Sequence, residues 1–194
     1  KRTDYIEIYH KAITWIQCHM VDGKAIICNT NKCKGYPEVT GYYIPTLIHW
    51  GYRDIAISFA KWLCEIQKED GSWYDTDDKA PYNFDTAQIL KGLLAIREIY
   101  PYVDENIKKG CDWILKNVQD CGHLITPTQE EWGNKRTCSE LIHLYCLSPL
   151  VQASDIFHIS RYKETAYKIL HFYKKNHYDE IMNFGLLSHN QHLP

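Results

Sequence analysis

"WLCEIQKEDG", from Trp62 to Gly71, has two echoes in the chain. Trp15 opens "WIQCHMVDG" and Trp113 opens "WILKNVQDCG". In each, Ile or Leu follows the Trp, and a Gly closes the segment eight or nine positions on. The three Trp residues stand 47 and 51 residues apart, and "ILHFYKKNHYDE" from Ile169 is a weaker fourth copy. Repeats of this length mark supersecondary units that stack to bury a common core.

Each unit reads as two helices of different character. Segments 53–67, 103–118 and 161–175 are amphipathic. In the first, Ile55, Phe59, Trp62, Leu63 and Ile66 form one stripe, with Arg53, Asp54, Lys61 and Glu65 off it. A Gly after the last turn reads as a helix stop. The alternate segments are nearly uncharged. Thr40 to Tyr52 has no charge, "TAQILKGLLAI" from Thr86 has only Lys91, and "SELIHLYCLSPLV" from Ser139 has only Glu140. A helix that is apolar on nearly all sides is buried on nearly all sides. The spacing therefore predicts an all-α fold of helical hairpins, with uncharged helices inside and amphipathic helices outside. The arrangement is an α/α-toroid or part of one, with a solenoid as the rival.

Thr40, Thr86 and Ser139 align as helix-start residues, where a hydroxyl caps free amides. Glu38, Asp85 and Glu140 stand beside them. In a ring, the inner helices start on one face, so these carboxylates would gather around one opening.

Composition excludes several classes. The charge of −2 offers no basic field for nucleic acid. No apolar run is long enough to span a membrane. The eight Cys (18, 28, 33, 64, 111, 121, 138 and 146) include no CxxC. Most fall in helical runs, which suits free thiols in a reducing, cytoplasmic compartment. Cys28 and Cys33 sit in a loop-like stretch, where a bridge would be the exception. No HxxxH or HExxH pair occurs, so no metal is expected, and no cofactor is called for.

"WLCEIQKEDGSW", Trp62 to Trp73, resembles the Gln-Trp repeat of the terpene cyclase and prenyltransferase toroids. The longer string "YPEVTGYYIPTL…WLCEIQKEDGSW…FDTAQILKGLL" resembles a group of bacterial proteins associated with surface-polysaccharide biosynthesis. Those are thought to be α/α-toroids related to six-hairpin glycosidases and sugar epimerases. The likeness covers about residues 36–96. It implies one α/α-hairpin domain over 1–194, part of a longer chain, since a six-hairpin ring needs roughly 300 residues.

The leading reading is a carbohydrate-processing enzyme, a hydrolase, lyase or epimerase with a sugar in its central cavity. A terpenoid cyclase or prenyltransferase-like enzyme is second. A non-catalytic helical-repeat binding protein is third. Asp85 and Glu38 are the candidate catalytic pair, since sugar chemistry commonly needs one group to give a proton and another to take it or assist. First-turn acids that complement a helix dipole are the bland alternative. Tyr42, Tyr43, Trp73, Gln88, Glu140 and His143 are the candidate substrate-binding residues, the aromatics by stacking and the others by hydrogen bonds. "DTDD", Asp75 to Asp78, looks like the acid motif of terpene cyclases. In that family, however, the motif runs directly into a Thr-Ala helix start. The equivalent place here is "NFDTA", where Phe84 occupies the position of the proton-donating Asp. The Asp75 cluster reads as a solvated turn.

Overall fold

The computed structural model describes residues 4–127 and 140–178 of the 194-residue chain. Within them the fold is mostly helical, as the charge alternation requires. The helices are α1 (Tyr5–Cys18), α2 (Pro37–His49), α3 (Arg53–Ile66), α4 (Asn83–Ile96), α5 (Asp104–Lys116), α6 (Leu147–Phe157) and α7 (Ser160–Asn176). A 3₁₀ helix, Glu140–Cys146, runs into α6. Ser139 and Cys138 lie outside the described residues.

The helices alternate between two layers. The inner α2 and α4 pack side by side, and α4 also meets α6. The outer α3, α5 and α7 lie against them and return the chain. Burial follows this division most clearly in α4. All of its residues are buried except Asp85, Lys91 and Ala95. In α3 only Ala56, Phe59, Ala60 and Leu63 are buried, one face of an amphipathic helix. Helix α2 is more open than its lack of charge suggests. Among the described residues, Tyr42 on it and Trp50 just after it are exposed.

Two expectations at helix boundaries are corrected. Thr40 and Thr86 are not caps. Helix α2 begins at Pro37, whose fixed φ suits the first helical position, and α4 begins at Asn83. Thr40 Oγ1 instead accepts the backbone N–H of Ile26 at 3.1 Å. The repeat glycines are not helix stops either. Gly71 and Gly122 lie in tight turns beyond their helices, at φ of 98° and 95°. A side chain on Gly71 would collide with the Lys109 carbonyl of α5, and one on Gly122 with the Lys168 carbonyl of α7. The repeated glycine thus lets the turn after one outer helix slide under the backbone of the next.

The Gln and Trp of "WLCEIQKEDGSW" do the same job by other means. Gln67 Nε2 donates to the carbonyls of Gly71 and Asn106, and its Oε1 accepts from Asn106 Nδ2 at 2.7 Å. The Trp73 indole is fully buried against Gly110, and its N–H donates to the Leu63 carbonyl at 2.7 Å. The motif therefore staples α3 to α5. Of the repeat Trp residues, Trp113 is buried and Trp62 packs on Gly35. Trp15 is half exposed and stacks on His19, so it is no inter-helix packing residue.

A three-stranded antiparallel sheet interrupts the helices: β1 (Met20–Val21), β2 (Ala25–Asn29) and β3 (Lys32–Gly35). The stretch holding Cys28 and Cys33 is therefore a hairpin rather than a loop. Its β2–β3 ladder is irregular between Ile27 and Asn29. The hairpin is tied to the start of α2 by the Thr40 bond and by Tyr36 N–H on the Ile26 carbonyl at 2.8 Å.

All seven described cysteines are free thiols. Cys111 and Cys146 are buried, and burial pushes both thiols far up, Cys146 to about 12. Native-state labelling with a disulfide reagent should modify the exposed Cys18, Cys33 and Cys121 quickly and spare these two until the chain unfolds. Fast modification of Cys111 or Cys146 would contradict the packing of α5 against α6. Among the described residues no helix is long and apolar enough to cross a membrane.

Candidate functional site

The hairpin, the first turns of α2 and α4, and the loop before α4 enclose a cavity of about 470 Å³. That volume lies within the roughly 300–1,000 Å³ usual for small-molecule sites. Glu38 and Asp85, predicted as a pair from sequence, both line it. They meet because α2 and α4 run side by side and each acid sits in its helix's first turn.

The cavity makes both carboxyls weak acids. Burial pushes Asp85 up to about 8, and the negative charges of Glu38 and Asp75 push in the same direction. Burial alone pushes Glu38, which is 8% exposed, up to about 7. Helix N-termini favour the charged form of an acid. Here burial works against that effect.

The other acids of the cavity are differently engaged. Asp77 is gripped by Lys32 at 2.7 Å and Lys34 at 3.3 Å, and hydrogen bonds from both hold its carboxyl below the usual range. Asp75 Oδ1 accepts the backbone N–H groups of Asp77 and Lys79, and Asp78 pairs with Lys68. "DTDD" is thus a turn organised by its own acids and by lysines, as the sequence suggests. Aromatic residues complete the wall: Tyr36, Tyr82 and Phe84.

Of the predicted substrate-binding residues, none lines this cavity. Tyr42 stands one turn from Glu38, whose charge adds to burial in raising its phenol, but it projects from α2 as an exposed residue. Tyr43 is half-buried and packs on the core. Trp73 is corrected outright: it is a core residue, closed to ligands by Gly110 and Leu63. Gln88 is buried on α4, where its Oε1 accepts from Lys91 Nζ at 3.0 Å. Glu140 pairs with His123 at 2.8 Å.

His143 belongs to a buried hydrogen-bond chain behind the cavity. Asn117 Nδ2 donates to Asn83 Oδ1 at 2.9 Å, and Asn83 Nδ2 donates to Thr126 Oγ1 at 3.0 Å. The Thr126 hydroxyl donates to His143 Nε2 at 3.2 Å, the tautomer being set by Tyr173, whose own hydroxyl donates to the Leu124 carbonyl. His143 Nδ1–H then donates to the Tyr173 hydroxyl at 2.8 Å. The chain needs neutral His143, and burial, helped by His123, lowers that imidazole to about 4. These bonds pin Asn83, the first residue of α4, which has no side-chain cap. The network therefore fixes the turn that carries Phe84 and Asp85.

Sequence reasoning missed the hairpin's share of the site, Cys28 with Lys32 and Lys34. The signal was "CNTNKCK", a polar turn between two short β-prone runs.

The shifted acids give a pH signature. A carboxyl whose folded pKa is raised holds its proton more tightly when folded. Its stabilising contribution is complete below about pH 4 and is lost as pH rises to about 8. His143 works oppositely: its contribution is present above about 6.5 and is lost as pH falls toward 4. Between pH 6.5 and 8, above the His143 titration and below ionisation of the buried thiols, these two acids dominate. Stability should therefore fall there by on the order of 2 kcal/mol. Urea melts of the double variant Glu38→Gln/Asp85→Asn should be nearly flat over that window. Equal slopes for both proteins would contradict the assignment.

Among the described residues, no group of three or more His, Cys, Asp or Glu is placed to hold a metal ion. No protein-family model matches the chain. A stretch of 75 residues is 33% identical to terpentedienyl-diphosphate synthase of Kitasatospora griseola. It covers 37% of this chain, and the chain spans 15% of that protein's length. This similarity overturns the carbohydrate and polysaccharide reading, because the named relative is a terpenoid diphosphate synthase. The likeness to the Gln-Trp toroids agrees with it, and the glycosidase-type likeness does not. The chain is a helical protein with a partial similarity to a terpene synthase.

Proposed function

We propose that this chain is part of a terpenoid-cyclase-like enzyme, in which Asp85 donates the proton that starts cyclisation of a polyprenyl substrate. In this reading the hairpins form a segment of an α/α-toroid, and residues 1–194 are one domain of a longer chain. The observation that carries it is the burial of Asp85 beside Glu38 in an aromatic-walled cavity, on a chain partly similar to a terpene synthase. A carboxyl with a pKa of about 8 keeps its proton at neutral pH and still gives it up, as a general acid must.

The chemistry follows from the lining. Asp85 delivers its proton to one carbon of a substrate double bond, and the π pair becomes the new C–H bond. The positive charge passes to the neighbouring carbon. The next double bond of the same substrate closes on that carbon, and a proton leaves at the end of the sequence. Tyr36, Tyr82 and Phe84 are suited to a passing cation, since aromatic rings attract positive charge without reacting as bases. Glu38 beside Asp85 opposes loss of its proton through charge repulsion. Asp85 stands next to Phe84, which holds the place of the proton-donating Asp in the terpene cyclases. The acid in this reading is the adjacent residue.

The test is incubation of the full-length protein with polyprenyl diphosphates of increasing length. Dephosphorylated extracts are then analysed by gas chromatography and mass spectrometry. The expected result is a cyclic isomer of unchanged mass. Absence of any isomer between pH 6 and 8 would overturn the proposal.

A further inference from the structure

Helix α4 is enclosed by α2, α3, α5 and α6, and beyond Asp85 only Lys91 and Ala95 escape burial. Residues 84, 88, 91 and 95 follow helical spacing, so Phe84, Gln88, Lys91 and Ala95 share one face. Lys91 is the one Lys or Arg on α2, α4 or α6. Among the described residues no carboxylate pairs with it. Its contacts are neutral: Gln88 Oε1 at 3.0 Å and the Tyr145 ring at 4.6 Å from its ammonium. Burial lowers its pKa. A charge taken out of water is normally paired, and this one has donors to spare. One of its three N–H groups serves Gln88, which leaves two.

We propose that Lys91 anchors the anionic head of the substrate, the diphosphate of a polyprenyl ester. This rests on the terpenoid reading above. Gln88 holds the ammonium in place and Tyr145 supports it. The same Tyr145 ring meets Phe84, a residue of the acid cavity's wall, edge-on at 5.1 Å. Seven residues of helix separate Phe84 from Lys91, about 10 Å along the axis at 1.5 Å per residue. A ligand with its head on Lys91 would run its hydrocarbon along Tyr145 toward Phe84 and Asp85. The head and the acid are then about two helical turns apart.

Isothermal titration calorimetry tests this without turnover, using inorganic pyrophosphate, farnesyl diphosphate and the uncharged farnesol. The wild type should bind both diphosphates. Lys91→Met should bind farnesyl diphosphate at least about tenfold more weakly, the worth of a lost charge-assisted hydrogen bond. It should also lose pyrophosphate and keep farnesol unchanged. Lys175→Met, at an exposed lysine of α7, should bind all three as the wild type does. Met keeps the packing of the lysine stem, and circular dichroism should show the fold of Lys91→Met intact. Wild-type affinity for diphosphates in Lys91→Met, or no pyrophosphate binding by the wild type, would overturn the anchor. Binding through Lys91 with no cyclic product would overturn the catalytic reading and leave the anchor standing. Cyclic product with unchanged affinity in Lys91→Met would do the reverse.

Discussion

Asp85→Asn is expected to lower turnover of a polyprenyl substrate by roughly 10²–10⁴, the usual worth of a positioned acid. The same change should raise the melting temperature at pH 8. These effects have one cause. The cavity penalises the charged form of Asp85 through burial and through the nearby Glu38 and Asp75. Asn has nearly the same shape and no charge, so the penalty goes and the proton source goes with it. Wild-type turnover should fall as pH rises through about 8, where Asp85 loses its proton. Residual turnover of the Asn variant should lack that limb. The measurement is rate against pH for both proteins, with thermal melts alongside. Full activity in the variant would remove Asp85 from the mechanism. Lost activity with a lowered melting temperature would make its role structural.

Gly92→Ala should be among the most destabilising single changes in the chain, about 3 kcal/mol or more, at or above the top of the usual range for overpacking. Gly92 of α4 faces Gly41 of α2, and an added Cβ would run into the Gly41 carbonyl. The reverse change, Gly41→Ala, would place its Cβ 2.6 Å from Ile89 Cα. Both obstacles are main-chain atoms, which cannot swing away as a flexible side chain can. Only separation of the two helices relieves the contact, and these helices carry Glu38 and Asp85. A variant that still folds should therefore lose part of the mutual charge effect, and its Asp85 should titrate lower. Urea melts measure the first effect, and carboxyl carbon chemical shifts against pH measure the second. A Gly92→Ala protein with wild-type stability would show that α2 and α4 do not cross this closely.

What was legible in the sequence was whatever depends on local pattern. The alternation of charged and uncharged segments was enough for hairpins and for their two layers, because burial of a helix follows from which of its faces are apolar. The placement of Glu38 and Asp85 at equivalent helix starts was enough to put them in one cavity, but the same reasoning misplaced Glu140, which pairs with His123 instead. The Gln-Trp motif marked a packing joint, although Trp73 proved to be its core and not a ligand platform. What the repeat could not show was how the joints close. Gly71 and Gly122 read as helix stops, yet their positive φ values serve close approach to a neighbouring helix.

The chemical character of the site came only from the tertiary structure. A carboxyl's pKa depends on how much water and charge surround it, and those surroundings come from distant segments. The hairpin, the Asp75–Asp78 turn and α2 together make Asp85 a weak acid. The neutral His143 depends likewise on groups from several elements, among them Thr126 and Tyr173. Lys91 read as one stray charge in an apolar helix. Only the packing of four helices around α4 left that charge half-buried and, among the described residues, without a carboxylate partner. Sequence by itself determined which helices would be inside and that Glu38 and Asp85 would stand at equivalent helix starts, since periodicity is local. Tertiary structure decided which of those groups would be charged, since solvation and Coulomb energy depend on neighbours that the chain brings together only when it folds.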